Sequence, residues 1–276
     1  MYYHTHGIIL KRKNFRENDG IFSIYTNEKG RIEAAAKGTK KIKSKLSPHL
    51  NYFSLIDLMV AKGKNFNQVA GAMMIKDFSK IKSDLFKTIL ASYCLEVLEQ
   101  LVKIEHKDQQ IWDLILAIFD LIDKKAIKSD LEKKQLECLT KAFALKLMSA
   151  LGYSPELESC VLCKSKIIPN SNIFSFSRGG LMCGKCQKIN QLYGSGNSVI
   201  STNAIKVQRM IIKEDLEKFS KLKMKPNLIK EVMKIIDSFL AMHLDRELKT
   251  IKWLKLPPPL NLPLRQGERF DAILDI

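Results

Sequence analysis

Four of the six cysteines fall as Cys160-Val161-Leu162-Cys163 and Cys183-Gly184-Lys185-Cys186, a C-x2-C-x19-C-x2-C pattern. Each C-x2-C lets two thiolates turn back on one ion, and two such knuckles complete the tetrahedral shell of Zn2+. Four thiolates leave no open position for water, so the spacing predicts a structural rather than a catalytic ion. Cys94 and Cys138 stand alone within helical patterns and read as small buried hydrophobes.

Other site chemistries fail on their residues. The run Gly179–Cys186 approximates a phosphate-binding P-loop, but it ends in Cys where Ser or Thr must hold Mg2+, and it overlaps the second knuckle. A zinc deaminase needs His-x-Glu upstream of Pro-Cys-x-x-Cys. None of His4, His6, His49, His106 or His243 has Glu two residues on, and no cysteine follows proline. A metal-dependent nuclease wants Asp, Glu and His clustered open to water. Glu17 and Asp19 form the close acidic pair near the N-terminus, and no histidine accompanies them. No enzyme is expected.

Phosphate chemistry is better served. Ala36–Lys45 packs Lys37, Lys40, Lys41, Lys43 and Lys45 into one short connection, and Lys11, Arg12, Lys13 and Arg16 precede it with Phe15 among them. Single-strand binding needs cations that track the backbone and rings that stack on bases, each stack being worth about 1–3 kcal/mol. Lys+Arg total 46 against 29 Asp+Glu, a net charge of +17. Residues 1–80 carry 15 basic and 6 acidic side chains, residues 81–150 carry 11 of each, and residues 151–256 carry 18 and 9. Two positive flanks around a neutral centre point to a polyanionic partner.

The elements that must position these groups follow from periodicity. Thr5–Lys13, Gly20–Thr26, Arg31–Lys37, Tyr52–Ala61 and Asn67–Phe78 read as five short strands, and five with no helical period suggest a small closed barrel. From Ser83 the period becomes helical: a helix capped by Asp84 to about Lys103, one near Gln109–Asp123 apolar on nearly all sides, and one from Ser129 to Leu151 stopped by Gly152. Asn203–Phe219 and Pro226–Leu244 give two more. Between them Ser154–Gly196 has no period and holds the cysteines. The prolines Pro257-Pro258-Pro259 open an extended or disordered tail, 257–276. At 46% hydrophobic the chain can bury a core, and it shows neither a membrane span nor a secretory signal, so a cytoplasmic protein is expected.

Glu17-Asn18-Asp19, Tyr25–Gly30, Ala36–Lys40 and Lys43–Leu46 resemble the N-terminal domain of the bacterial recombination mediator family RecO. Leu151–Pro155 leading into the first knuckle, Phe176–Gly180 leading into the second, and Phe239–Lys249 resemble the rest of that family, in order over residues 1–255. The resemblance implies an α+β multidomain chain: an OB-fold barrel at 1–80, a helical domain at 81–153 and 197–256, and an inserted zinc module at 154–196. It implies a non-enzymatic role: binding single- and double-stranded DNA, annealing complementary strands and, with RecR, helping RecA replace the single-strand binding protein SSB, in a nucleoid-associated setting. On that footing Lys37, Lys40, Lys41, Lys43, Lys45, Lys11, Arg12, Lys13, Arg16 and Arg31 are expected to contact phosphates, Phe15 to stack, and Arg178 to assist. The family places the SSB-tail contact on the helical domain, where Arg209, Lys213 and Arg246 are the candidates. A zinc-ribbon RNA-binding or transcription accessory protein is the alternative with the same charge and cysteine pairs.

Overall fold

The computed structural model describes residues 1–63, 66–168, 172–190 and 196–255; the tail expected at 257–276 lies outside them. The chain divides into two compact units, Met1–Lys125 with the described residues that follow Glu247, and Ala126–Glu247.

The first unit is built on strands β1 (Tyr2–Phe15), β2 (Asp19–Thr26), β3 (Gly30–Ala36), β4 (Ser54–Ala61) and β5 (Asn67–Asp77), closed into a barrel in the order β1-β2-β3-β5-β4. Every pairing is antiparallel except β3 with β5, where Ala34 faces Asn67 and Ala35 faces Gln68. A five-stranded barrel with this strand order is an OB-fold. Alternation fixes which side chains fill it: on β3 Ile32, Ala34 and Ala36 point in, and on β4 Ile56, Leu58 and Val60 do. On β1 the alternation lapses, because Ile8, Ile9 and Leu10 are all buried. A bulge between Ile9 and Lys11 and helix α2 against the strand account for this.

Helix α1 (Ser79–Ser83) leads into α2 (Leu85–Leu101), whose first turn is capped by the Asp84 carboxylate accepting from Lys87 N–H. Helix α3 (Gln109–Lys124) is capped by Asp108. The expectation that α3 is apolar on nearly all sides is met on one face: Ile111, Trp112, Leu114, Ile115, Ile118, Phe119 and Ile122 are buried, while Gln109, Gln110, Asp113 and Ala117 lie exposed. Isolated polar residues at helical spacing suffice to mark a solvent side. The chain returns to this unit at α9 (Thr250–Lys255), where the Glu96 carboxylate accepts from Lys249 N–H, Thr250 N–H and the Thr250 hydroxyl.

In the second unit α4 (Asp130–Ala150), capped by Ser129, packs on the helices after the cysteine region. Gly152 adopts φ +88° just past its end, the left-handed conformation that stops a helix. The aperiodic segment holds structure of its own: β6 (Asn172–Ser175), β7 (Gly180–Met182), α5 (Gly184–Asn190) and β8 (Asn197–Ile200), with sheet order β7-β6-β8. The single helix expected over Asn203–Phe219 is two, α6 (Thr202–Lys213) and α7 (Leu216–Ser220). The Lys146 ammonium on α4 holds the break open, donating to the carbonyls of Ile211, Ile212 and Glu214. Helix α8 (Pro226–Ala241) begins at its proline as expected and stops short of Leu244.

Candidate metal centre and nucleic-acid interface

The first knuckle is a tight loop pinned at its base. The Glu156 carboxylate accepts from Glu158 N–H and Ser159 N–H, which holds its pKa below the usual carboxylate range. Cys160 N–H donates to Ser165, Lys164 N–H returns to Cys160, and Lys164 takes φ +60° to close the turn. Val161 N–H donates to Leu181, which fastens this knuckle to β7; Cys183 follows β7 directly and Cys186 sits in the first turn of α5. The four Sγ atoms lie within 4.8 Å of one another, and Cys163 and Cys183 are 3.8 Å apart. Tetrahedral thiolate bonds of ~2.3 Å need neighbouring sulfurs about 3.8 Å apart, so the four thiols fit a metal ion. The set is already polarised: the Ser165 side chain holds Cys163 down at about 6, while the hydrogen bond with Cys163 pushes Cys186 up to about 12.

Arg209 and Lys213 serve this module. The Arg209 guanidinium donates to the Leu157 carbonyl and pairs with Glu158 at 3.2 Å, and Lys213 reaches the same carboxylate at 3.9 Å. Arg209, a candidate for the SSB-tail contact, thus braces α6 against the first knuckle. Arg246, which follows α8, and Arg178, which precedes β7, are both exposed.

On the barrel, backbone hydrogen bonds draw the basic segments together. The Asp19 carboxylate accepts from Gly38 N–H at 2.8 Å and Lys40 N–H donates to Asn18 at 3.2 Å, which joins the β1–β2 turn to the connection after β3. Lys37, Lys40, Lys41, Lys43 and Lys45 line that connection, all five exposed, and among the described residues none of them has an ion-pair partner. Lys13 and Arg16 are exposed beside them; Lys11 and Arg12 are half-buried, with Arg12 over the Phe22 ring at 5.8 Å.

Phe15 is half-buried, with the Arg16 guanidinium 5.2 Å from its centroid and the Phe66 ring at 6.3 Å. Phe66, 42% exposed beside the β4–β5 turn, is the ring that sequence reading overlooks. Its signal was an aromatic residue next to a Gly- and Lys-bearing turn. Arg31, expected at phosphates, is engaged within the fold: it pairs with Glu99 at 3.0 Å and donates to the Ser23 hydroxyl and to the Glu99 and Val102 carbonyls, so its guanidinium fastens α2 to β3. Among the described residues no helix is long and apolar enough to cross a membrane.

Residues 1–78 match the family model described as Recombination protein O N terminal, and residues 82–251 match Recombination protein O C terminal. A DNA repair protein RecO of Dehalococcoides mccartyi is 31% identical over 258 residues, covering 94% of this chain and 97% of its own length. Its namesake in Alkaliphilus metalliredigens is 30% identical over 242 residues, covering 88% and 94%, and that of Clostridium perfringens is 29% identical over 249, covering 90% and 96%.

Proposed function

Because this chain belongs to the RecO family of DNA repair and recombination proteins, we propose that it is a non-enzymatic mediator. It binds single- and double-stranded DNA, anneals complementary strands and, with RecR, promotes RecA loading onto SSB-coated single strands. The observation that carries this reading is the set of lysines on the connection after β3, tied to the β1–β2 turn and standing with Arg16, Phe15 and Phe66 at the barrel surface.

Annealing brings two polyanions together. Lysines that replace condensed counterions on both strands lower their repulsion, and the released ions make the affinity salt-dependent. Phe15 and Phe66 offer ring surface on which unpaired bases stack. The domains act as their composition suggests: residues 1–80 grip nucleic acid, while the helical residues receive the acidic, apolar-ended tail of SSB, with Arg209, Lys213 and Arg246 the basic candidates. Cys160, Cys163, Cys183 and Cys186 hold a structural Zn2+, which when bound cross-links the two knuckles.

Replacing Lys37, Lys40, Lys41, Lys43 and Lys45 by Ala should weaken DNA binding by at least about tenfold and flatten the plot of log affinity against log salt by about 0.7–0.9 for each phosphate no longer neutralised. Anisotropy titrations across salt concentrations, with annealing of SSB-coated oligonucleotides with and without RecR, check this. An unchanged slope refutes the assignment. Annealing abolished by competing RNA but not by competing DNA would favour the RNA-binding alternative.

A further inference from the structure

We infer that a cavity on the barrel unit, separate from the lysine connection, receives one nucleotide of a bound single strand and selects guanine. The inference rests on the DNA-binding reading above and adds base selection to it. The cavity has a volume of about 480 Å3 and is lined by Tyr3 of β1, Lys29 of the β2–β3 turn, Lys62 after β4, Asn67 of β5, and Glu105 and Lys107 of the α2–α3 connection. That volume falls among those of small-ligand sites, roughly 300–1,000 Å3.

Three features set this cavity apart from ordinary surface. First, charges of both signs line it without neutralising one another: Glu28, also at the wall, accepts from the Thr5 hydroxyl, and among the described residues none of Lys29, Lys62, Lys107 or Glu105 has an ion-pair partner. Second, Glu105 is held at φ +60°, a left-handed backbone that disfavours any residue with a Cβ. Its N–H donates to the Arg31 carbonyl at 2.8 Å, and neighbouring Ile104 bridges to Arg31, so the strained residue is pinned at the cavity wall, where its charge acts on Tyr3. Third, the wall is closed by contact. A Cβ on Gly30 would stand 2.1 Å from the His106 carbonyl oxygen, so the connection and the β2–β3 turn touch backbone to backbone.

A ligand that satisfies this lining carries an anion for the ammonium groups, N–H donors for a carboxylate and a flat ring for Tyr3. A nucleotide has all three. Among the bases, guanine presents two adjacent N–H donors on its Watson–Crick edge, which one carboxylate accepts bidentately. Thymine presents one N–H between two carbonyl oxygens, which a carboxylate repels. The Tyr3 ring, half-buried and with Lys29 Nζ 5.9 Å from its centroid, supplies the stacking surface. The route is continuous with the other rings: Lys62 and Asn67 flank the same β4–β5 connection that carries Phe66.

The test is anisotropy of the full chain with labelled oligothymidylate and with the same oligonucleotide carrying isolated guanines. The guanine-bearing strand should bind at least roughly fivefold more tightly, the lower range for one bidentate base contact. Glu105→Gln should erase that preference and leave oligothymidylate affinity unchanged. Lys62→Ala with Lys107→Ala should weaken both strands equally and reduce their salt dependence. Equal affinity of the unaltered chain for both strands, or a preference that survives Glu105→Gln, overturns the inference. Binding that depends on the lysine connection but fails these contrasts removes the cavity alone; absence of DNA binding altogether removes the function from which it starts.

Discussion

Arg31 lies on β3 with its side chain 15% exposed, opposite a Glu99 side chain 13% exposed, and its guanidinium is spent on groups of the fold itself. Removing it takes a charged donor from a largely buried carboxylate and two carbonyls. Arg31→Met should cost about 1.5–3 kcal/mol in chemical denaturation, the range for hydrogen bonds to charged groups. The DNA affinity of the folded fraction should be unchanged, which separates Arg31 from the connection lysines. Glu137 makes the opposite case. Burial pushes its carboxyl above the ordinary value, and the nearby Lys141 ammonium, itself 2.8 Å from Asp237, only partly offsets this. A raised carboxyl destabilises the fold above its folded pKa, and the cost disappears below the unfolded value. Glu137→Gln should therefore raise the melting temperature at neutral pH, with the gain gone once the pH falls below the ordinary carboxylate range; a pH series of thermal melts decides it. The cysteine ligands were legible because their spacing is a property of a few consecutive residues. Arg31 was not, because its partner stands 68 residues away.

At the scale of elements, caps and stops were the most readable features: Asp84, Ser129, Gly152 and Pro226 mark the ends they were expected to mark. Strands β6, β7 and β8 were not readable, since runs of three and four residues are too short to show a period. The break between α6 and α7 was hidden for another reason. Its cause is Lys146, 65 positions or more away, whose pKa burial lowers while its ammonium gathers three carbonyls. Lys146→Met should leave those oxygens short of a donor, at about 1–3 kcal/mol. Guanidinium titration, with hydrogen exchange over residues 202–220, would show loss of protection there first; uniform loss along the chain would argue against the cap.

For the whole molecule, the division into units with separate cores gives metal removal a local signature. The cysteines lie inside Ala126–Glu247, so chelation, or Cys160→Ser, should strip protection from residues 154–190 and leave the barrel strands guarded. Hydrogen exchange before and after chelation checks this, and a barrel that loosens in step contradicts it. The barrel itself was foreseeable from five alternating runs; its closure by a parallel β3–β5 contact was not, because two paired residues leave no trace in composition.

The same division bears on synthesis. Glu96 seats the first turn of α9 against α2, so the barrel unit takes its last piece from beyond residue 247. A ribosome must translate the entire intervening unit before that seat is filled. The nascent barrel thus emerges with one helical flank uncovered, and the lag scales with the time needed to make some 120 residues at about 5–20 per second.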